Sequence, residues 1–245
     1  MLIQNLLMIS AVVVSLPVLA GNTQLPSFTK AKKLLTNVVY AGHHETFYCK
    51  GTFDVENNIT LPEGFKTPSH EKRAYKLEWE HAVPAENFGR AFVEWRDGHP
   101  ECVDSKGKAF KGRKCAEKVN KDFQLMQADM YNLYPAIGAV NAIRSNFNYA
   151  ELPTDPVTFG ACPMKIAGKK AEPPEYTKGT IARTYLYFEQ EYPVYHMSDS
   201  QKKMMMAWDK THPVDAWECE RARRIEKLQG NKNKIVIEQC EKTGL

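Results

Sequence analysis

Glu80 and His81 place a carboxylate beside an imidazole in the stretch Tyr75-Lys76-Leu77-Glu78-Trp79-Glu80-His81-Ala82-Val83-Pro84. In an extended chain, alternation puts Trp79 and His81 on one face and Glu78 and Glu80 on the other. Pro84 cannot donate to a sheet ladder, so the strand must end there. The pair therefore sits near a strand end, where neighbouring side chains can flank one ligand from two sides. Hydrolysis of a phosphodiester asks for such a pair. A hard oxygen ligand holds a divalent cation on the phosphate, and a base within reach of a water makes the nucleophile. The dipeptide alone carries little weight, because most Glu-His pairs are an exposed charge beside a satisfied histidine.

The longer context adds to it. Glu78-Trp79-Glu80-His81-x-Val83-Pro84-Ala85-x-x-Phe88-Gly89 resembles the active-site segment of the bacterial endonuclease I family. Asp129-Met130-Tyr131-Asn132-Leu133-x-Pro135-x-x-Gly138-x-Val140-Asn141-x-x-Arg144-x-Asn146-Phe147 continues the resemblance. So do Ala171-Glu172-Pro173-Pro174, Gly179-x-Ile181-Ala182-Arg183-Thr184-Tyr185, Trp217-Glu218-Cys219-Glu220-Arg221 and Gln229-Gly230-Asn231-x-Asn233. These blocks occur in family order and span most of the chain. The resemblance implies an extracytoplasmic, metal-dependent nuclease with a ββα-metal (His-Me finger) site.

Such a site needs a strand, a long connection, a second strand and a helix. Residues 75–83 read as the first strand and 131–133 as the second, ended by Pro135. Residues 138–144 read as the helix that crosses beneath and offers Asn141. Asn is a poor helix former, so a surface or capping role is its ordinary reading; the resemblance makes it a metal ligand instead. Elsewhere, Ser27 caps a helix with Ala31, Leu34, Leu35, Val38 and Val39 at helical spacing. Residues 45–53 read as a strand, and 85–95, 116–130, 180–191 and 198–210 as helices. Within 198–210, Met204, Met205, Met206 and Trp208 are read as core packing. Residues 214–228 read as a last helix, closed by Gly230. The expected class is α+β: one mostly helical domain with a small antiparallel sheet, stapled by disulfides.

Residues 1–20 carry no charged side chain, residues 6–14 are almost all apolar, and Val18 and Ala20 are small. This reads as a signal peptide cut before Gly21, leaving residues 21–245 as the nuclease domain, with an uncleaved amino-terminal anchor as the alternative. The apolar run is short of the about 20 residues that a membrane span needs. All six cysteines lie beyond the expected cut, and an even number in an exported chain reads as disulfides. Loop closure favours Cys102–Cys115 and Cys219–Cys240, which leaves Cys49–Cys162 as a long-range tie. The net charge of +4 is modest for 245 residues, but the basic residues cluster. Lys106, Lys108, Lys111 and Lys114 share one loop with Arg113, and Arg221, Arg223, Arg224 and Lys227 form another group. The first cluster suits phosphate neutralisation; in the second, interspersed acids make a solvated surface equally good.

The resemblance assigns His81 as general base, Glu80 and Asn141 as ligands of Mg²⁺ (or another divalent cation such as Mn²⁺ or Ca²⁺), and Arg113 as stabiliser of the phosphoryl charge. It implies a sequence-non-specific endonuclease acting on double-stranded DNA, with single-stranded DNA and RNA as further candidates, and leaving 5′-phosphate ends. The expected protein is a monomer, periplasmic or secreted, with no stable membrane association once the leader is cut. Arg144 and Asn146 are read as supporting residues. Gln127 stands where many members carry a carboxylate, so the orienting role of that acid does not transfer. Two other classes are weighed. A catalytically inactive secreted nucleic-acid-binding protein would keep the basic clusters but needs no Glu80, His81 and Asn141 together. A metal-dependent phosphoesterase for small substrates needs no basic clusters away from the site.

Overall fold

The computed structural model describes residues 21–152 and 158–245, and the leader expected over residues 1–20 lies outside them. Ser27 opens α1 (Phe28–Leu34) by accepting from the Lys30 amide. The helix runs on without a break through a π-helical turn, Leu35–Val39. Ala31, Leu35 and Val39 recur every four residues and are fully buried, which seats one face on the core. Next come β1 (Thr52–Phe53), β2 (Ile59–Thr60), α2 (Glu71–Ala74), β3 (Leu77–His81), α3 (Ala85–Gly89), α4 (Val93–Arg96), α5 (Arg113–Val119), α6 (Lys121–Gln127), β4 (Leu133–Ile137) and α7 (Gly138–Arg144). The C-terminal part holds β5 (Asn148–Tyr149), β6 (Lys165–Ala167), β7 (Lys170–Glu172), α8 (Lys178–Glu191), α9 (Asp199–Thr211), α10 (Ala216–Gln229) and α11 (Lys234–Thr243).

The chain mixes helix with short strands, as the α+β reading holds. Among the described residues the strands make three small sheets instead of one, and β5 pairs with β7 in parallel. The central pair is β3 with β4, antiparallel from Leu77 opposite Ile137 to His81 opposite Leu133. Helix α8 lies in the core, with Ile181, Ala182, Tyr185 and Phe188 all at zero exposure. Disulfides join Cys49 to Cys162, Cys102 to Cys115 and Cys219 to Cys240, the same three pairs that loop closure favours.

Several local readings change. The second central strand starts later than residue 131: residues Met130–Asn132 form a 3₁₀ turn, and β4 runs through Pro135. Proline fits because β4 has a ladder on one side only, and the Pro135 carbonyl takes the Phe47 amide. Residues 116–130 are not one helix. Asn120 is extended (φ −109°, ψ 112°) and caps α6 through its side chain to the Phe123 amide, which ends α5. Residues 85–95 likewise split into α3 and α4 around an extended Phe92. Only Thr52–Phe53 of the expected strand 45–53 is strand. Helix α11 goes beyond the expected last helix, with Asn233 capping it and Cys240 tied to α10. Met205 and Trp208 are core residues as read, but Met206 faces solvent at 56% exposure.

Candidate active site

β4 passes into α7 with no intervening residue, and Gly138 makes that junction possible. A Cβ there would meet the Arg73 carbonyl oxygen at 2.6 Å and Glu78 Oε1 at 2.8 Å. The close approach lets strand β3 and helix α7 share side-chain contacts. Asn141 donates through Nδ2 to Glu78 Oε2 at 2.8 Å, and Arg73 grips the same carboxylate from Nε and an Nη at 2.8 and 2.6 Å. Asn141 therefore turns its Oδ1 away from Glu78, and no described residue donates to it.

Glu80 is 2% exposed, and one of its oxygens is committed. Oε1 accepts from Arg144 at 2.7 Å and from the Tyr48 hydroxyl at 3.0 Å. Tyr48 in turn shares a short hydrogen bond with the Tyr149 hydroxyl. Arg144 also donates to the His81 and Ala82 carbonyls, both at 2.7 Å, so one guanidinium fixes the carboxylate and the end of its strand. No described residue donates to Oε2. Burial pushes the Glu80 carboxyl up to about 7, against the pull of Arg144 and Tyr48.

His81 is 7% exposed, and its Nε2 lies 2.9 Å from the main-chain carbonyl of Gln127. A carbonyl only accepts, so Nε2 carries the hydrogen and Nδ1 is the basic nitrogen. Burial, then the charge of Arg113, hold the imidazole down to about 3, which keeps it neutral at ordinary pH. Gln127 serves twice: its side-chain oxygen accepts from Arg113 Nε at 2.7 Å. Arg113 begins α5, two residues before Cys115, so the Cys102–Cys115 bridge anchors the turn that carries it. Its two terminal nitrogens donate to no described residue.

Glu80, His81, Arg113 and Asn141 all line one cleft of about 280 Å³, with Trp79, Glu86, Arg144 and Asn146 among its other walls. The four lysines of the loop do not line it; Lys106, Lys108, Lys111 and Lys114 are exposed on the lobe that carries Arg113. The cluster at the end of the chain is partly structural. Arg221 is buried, with bonds to Tyr40, Met130 and Leu133, whereas Arg224 pairs with Glu220. Outside the cleft, His43 is stacked on Trp217 with ring centroids 3.7 Å apart. Sequence reasoning missed Tyr48, Tyr149 and Glu78. Tyr48 and Tyr149 reach Glu80 only through tertiary packing, and no local pattern marks them. Glu78 could have been found from the alternation that puts it on the face of Glu80.

The Glu80–Asn141 oxygen pair suits a hard divalent cation in its chemistry: one carboxylate oxygen and one amide oxygen, neither engaged by a described donor, in the cleft that the Arg113 guanidinium also lines. Among the described residues there is no group of three or more His, Cys, Asp or Glu side chains that could hold a metal by themselves. Any cation would thus share its shell with water and substrate oxygens.

A family model described as Endonuclease I matches residues 27–240. An extracellular deoxyribonuclease of Aeromonas hydrophila is 39% identical over 238 residues, covering 94% of this chain and 96% of the relative. A periplasmic deoxyribonuclease of the same organism is 36% identical over 235 residues, covering 93% and 92%. Endonuclease-1 of Buchnera aphidicola subsp. Acyrthosiphon pisum (strain APS) is 36% identical over 217 residues, covering 86% and 80%.

Proposed function

The chain belongs to the endonuclease I family, and from that premise we propose that it is an exported, divalent-metal-dependent endonuclease that hydrolyses DNA with little regard to sequence. One observation carries this reading. Glu80, His81, Arg113 and Asn141 line a single cleft, and each keeps a polar atom that no described residue claims. In this reading β3, β4 and α7 are the ββα-metal unit.

His81 Nδ1 takes a proton from a water that attacks phosphorus in line. The new water-oxygen-to-phosphorus bond forms as the bond to the 3′ oxygen breaks, which leaves a 5′-phosphate and a 3′-hydroxyl. Arg113 stands over the phosphoryl oxygens, where its free terminal nitrogens meet the charge spread across them. Arg144 holds Glu80 and the strand end in place. Glu80 Oε2 and Asn141 Oδ1 would hold the cation, with Mg²⁺ the best fit to two hard oxygens and several waters. Bound there, the cation would supply charge neutralisation to the phosphoryl group. Lys106, Lys108, Lys111 and Lys114 supply outer contacts to phosphates. RNA offers the same phosphodiester and is the further candidate substrate.

The relatives named extracellular and periplasmic, the uncharged apolar leader and the three disulfides support export. No helix among the described residues is long and apolar enough to cross a membrane. Purified mature protein incubated with supercoiled plasmid should nick and then degrade it with Mg²⁺, and leave it intact in chelator. Binding without cleavage would favour the inactive nucleic-acid-binding protein, and cleavage confined to small phosphodiesters would favour the phosphoesterase. A parallel incubation with RNA reads the sugar preference.

A further inference from the structure

A second groove, of about 730 Å³, opens beside the cleft and shares Trp79, Arg113 and Asn141 with it. Its other wall is α1, which contributes Phe28, Lys32 and Lys33. From this we infer that Lys32 and Lys33 form a phosphate-tracking wall, which holds two backbone phosphates of the DNA strand beside the scissile one. The inference rests on the endonuclease reading above and assigns the inner strand contacts that it leaves open.

Four features point to a ligand and not to the fold. No described carboxylate pairs with Lys32 or Lys33, whereas Lys178, Lys202 and Lys232 are each paired. Lysines in a last helical turn often answer the helix dipole. These two do not, because the π-helical turn carries the same helix on to Val39. Phe28 ties the wall to the chemistry. Its ring lies 5.2 Å from the His81 ring, with Lys32 Nζ at 4.7 Å and the Arg113 guanidinium at 5.3 Å. Finally, Glu78, the one acid among the described residues that line the groove, is already neutralised by the two-pronged grip of Arg73. A strand leaving Arg113 thus meets unpaired positive charge along α1 and no unpaired negative charge.

The test compares wild type with Lys32→Ser/Lys33→Ser by two measurements. The first is anisotropy of a short fluorescent duplex in chelator, titrated at several salt concentrations. Loss of two phosphate contacts should flatten the log–log salt slope by about 1.8 units. The second is Mg²⁺-driven cleavage at low and saturating DNA, where KM should rise severalfold while kcat stays within about twofold, since these contacts are made equally in ground and transition states. Lys32→Arg/Lys33→Arg should restore both, which separates charge from the packing of Lys32 on Phe28. A wild-type slope and KM in the serine variant, with wild type cleaving normally, would overturn the assignment of the wall. A drop in kcat at saturating DNA with KM unchanged would also overturn it, because it would make α1 part of the chemistry. Failure of wild type to cleave at all strikes the endonuclease reading instead.

Discussion

Glu80 and Asp129 are both removed from water, at 2% and 0% exposure, and burial pushes both carboxyls up. Their surroundings differ in how many oxygens are spoken for. Asp129 Oδ1 takes the Tyr131 amide and Gln229 Nε2, both at 2.9 Å, and Oδ2 takes the hydroxyls of Tyr187 and Tyr192 at 2.8 and 2.5 Å. Every acceptor of that carboxylate is used, and its three side-chain partners come from distant parts of the chain. It is a clamp that draws the 3₁₀ turn before β4 onto α8 and α10. Glu80 commits only Oε1, to Arg144 and Tyr48, and turns its other oxygen to a cleft. A buried acid with no oxygen to spare is structural. A buried acid rigidly held by one oxygen and open at the other is poised for a ligand.

The imidazole next to the open acid should show the largest effect. His81→Ala removes the Nδ1 acceptor, and loss of a general base typically costs about 10²–10⁴-fold. Plasmid cleavage should fall by that factor while duplex binding in chelator and the thermal midpoint stay near wild type. More than half of wild-type activity in the variant would show that the base lies elsewhere.

The two carboxylates can then be set against each other. Glu80→Gln should raise the Mg²⁺ needed for half-maximal cleavage by at least about tenfold, since even residues that only support metal ligands cost 10–100-fold. The amide keeps the shape around Arg144 but loses the charge partner, so some stability is lost as well. Asp129→Asn should do the reverse. It sets an amide donor against hydroxyl or amide donors, costs about 1–3 kcal/mol in urea unfolding, and leaves the Mg²⁺ curve of the folded protein alone. The pH dependence sharpens the contrast. A cation held by Glu80 would need the ionised carboxylate, and the Glu80 carboxyl takes up a proton as pH falls through about 7. The Mg²⁺ requirement should therefore climb below neutrality in wild type and in Asp129→Asn, and lose most of that climb in Glu80→Gln. Equal shifts in both variants would erase the distinction.

The same contrast marks what the sequence could and could not tell. Glu80, His81 and Asn141 stand on a strand and a helix that announce themselves by local means: extended residue types stopped by Pro84, and a short helical run opened by Gly138. The cysteines pair as loop closure prefers because two of the three loops are short. Asp129, by contrast, lies in a recognisable block, but its role as a clamp depends on Tyr187, Tyr192 and Gln229, between 58 and 100 positions away. Tyr48 reaches Glu80 across 32 positions, and Phe28 meets His81 across 53. Long-range packing of this kind leaves no period in a single sequence. Boundaries went astray where one residue overruled a pattern. Asn120 prefers to cap and not to continue a helix, and Pro135 is tolerated because β4 lacks a second partner.

Gln127 should show the smallest effect, for a reason particular to its geometry. Its carbonyl, not its side chain, holds His81 Nε2, so replacing the side chain leaves the tautomer of the imidazole untouched. The side chain acts only on Arg113, through one bond to Nε at 2.7 Å, and Arg113 has a second support in the face of Phe28. Gln127→Glu keeps an acceptor in place and strengthens it with charge, so kcat should change by less than about threefold, or roughly 0.7 kcal/mol. Gln127→Ala removes the acceptor and leaves a small void at a residue 1% exposed. It should cost some stability and less than about tenfold in kcat, or about 1.4 kcal/mol. The pH profile should keep its shape in both variants if the side chain does not touch the base. A loss in Gln127→Ala as deep as that of His81→Ala, in protein shown to be folded, would mean that the side chain positions the imidazole after all.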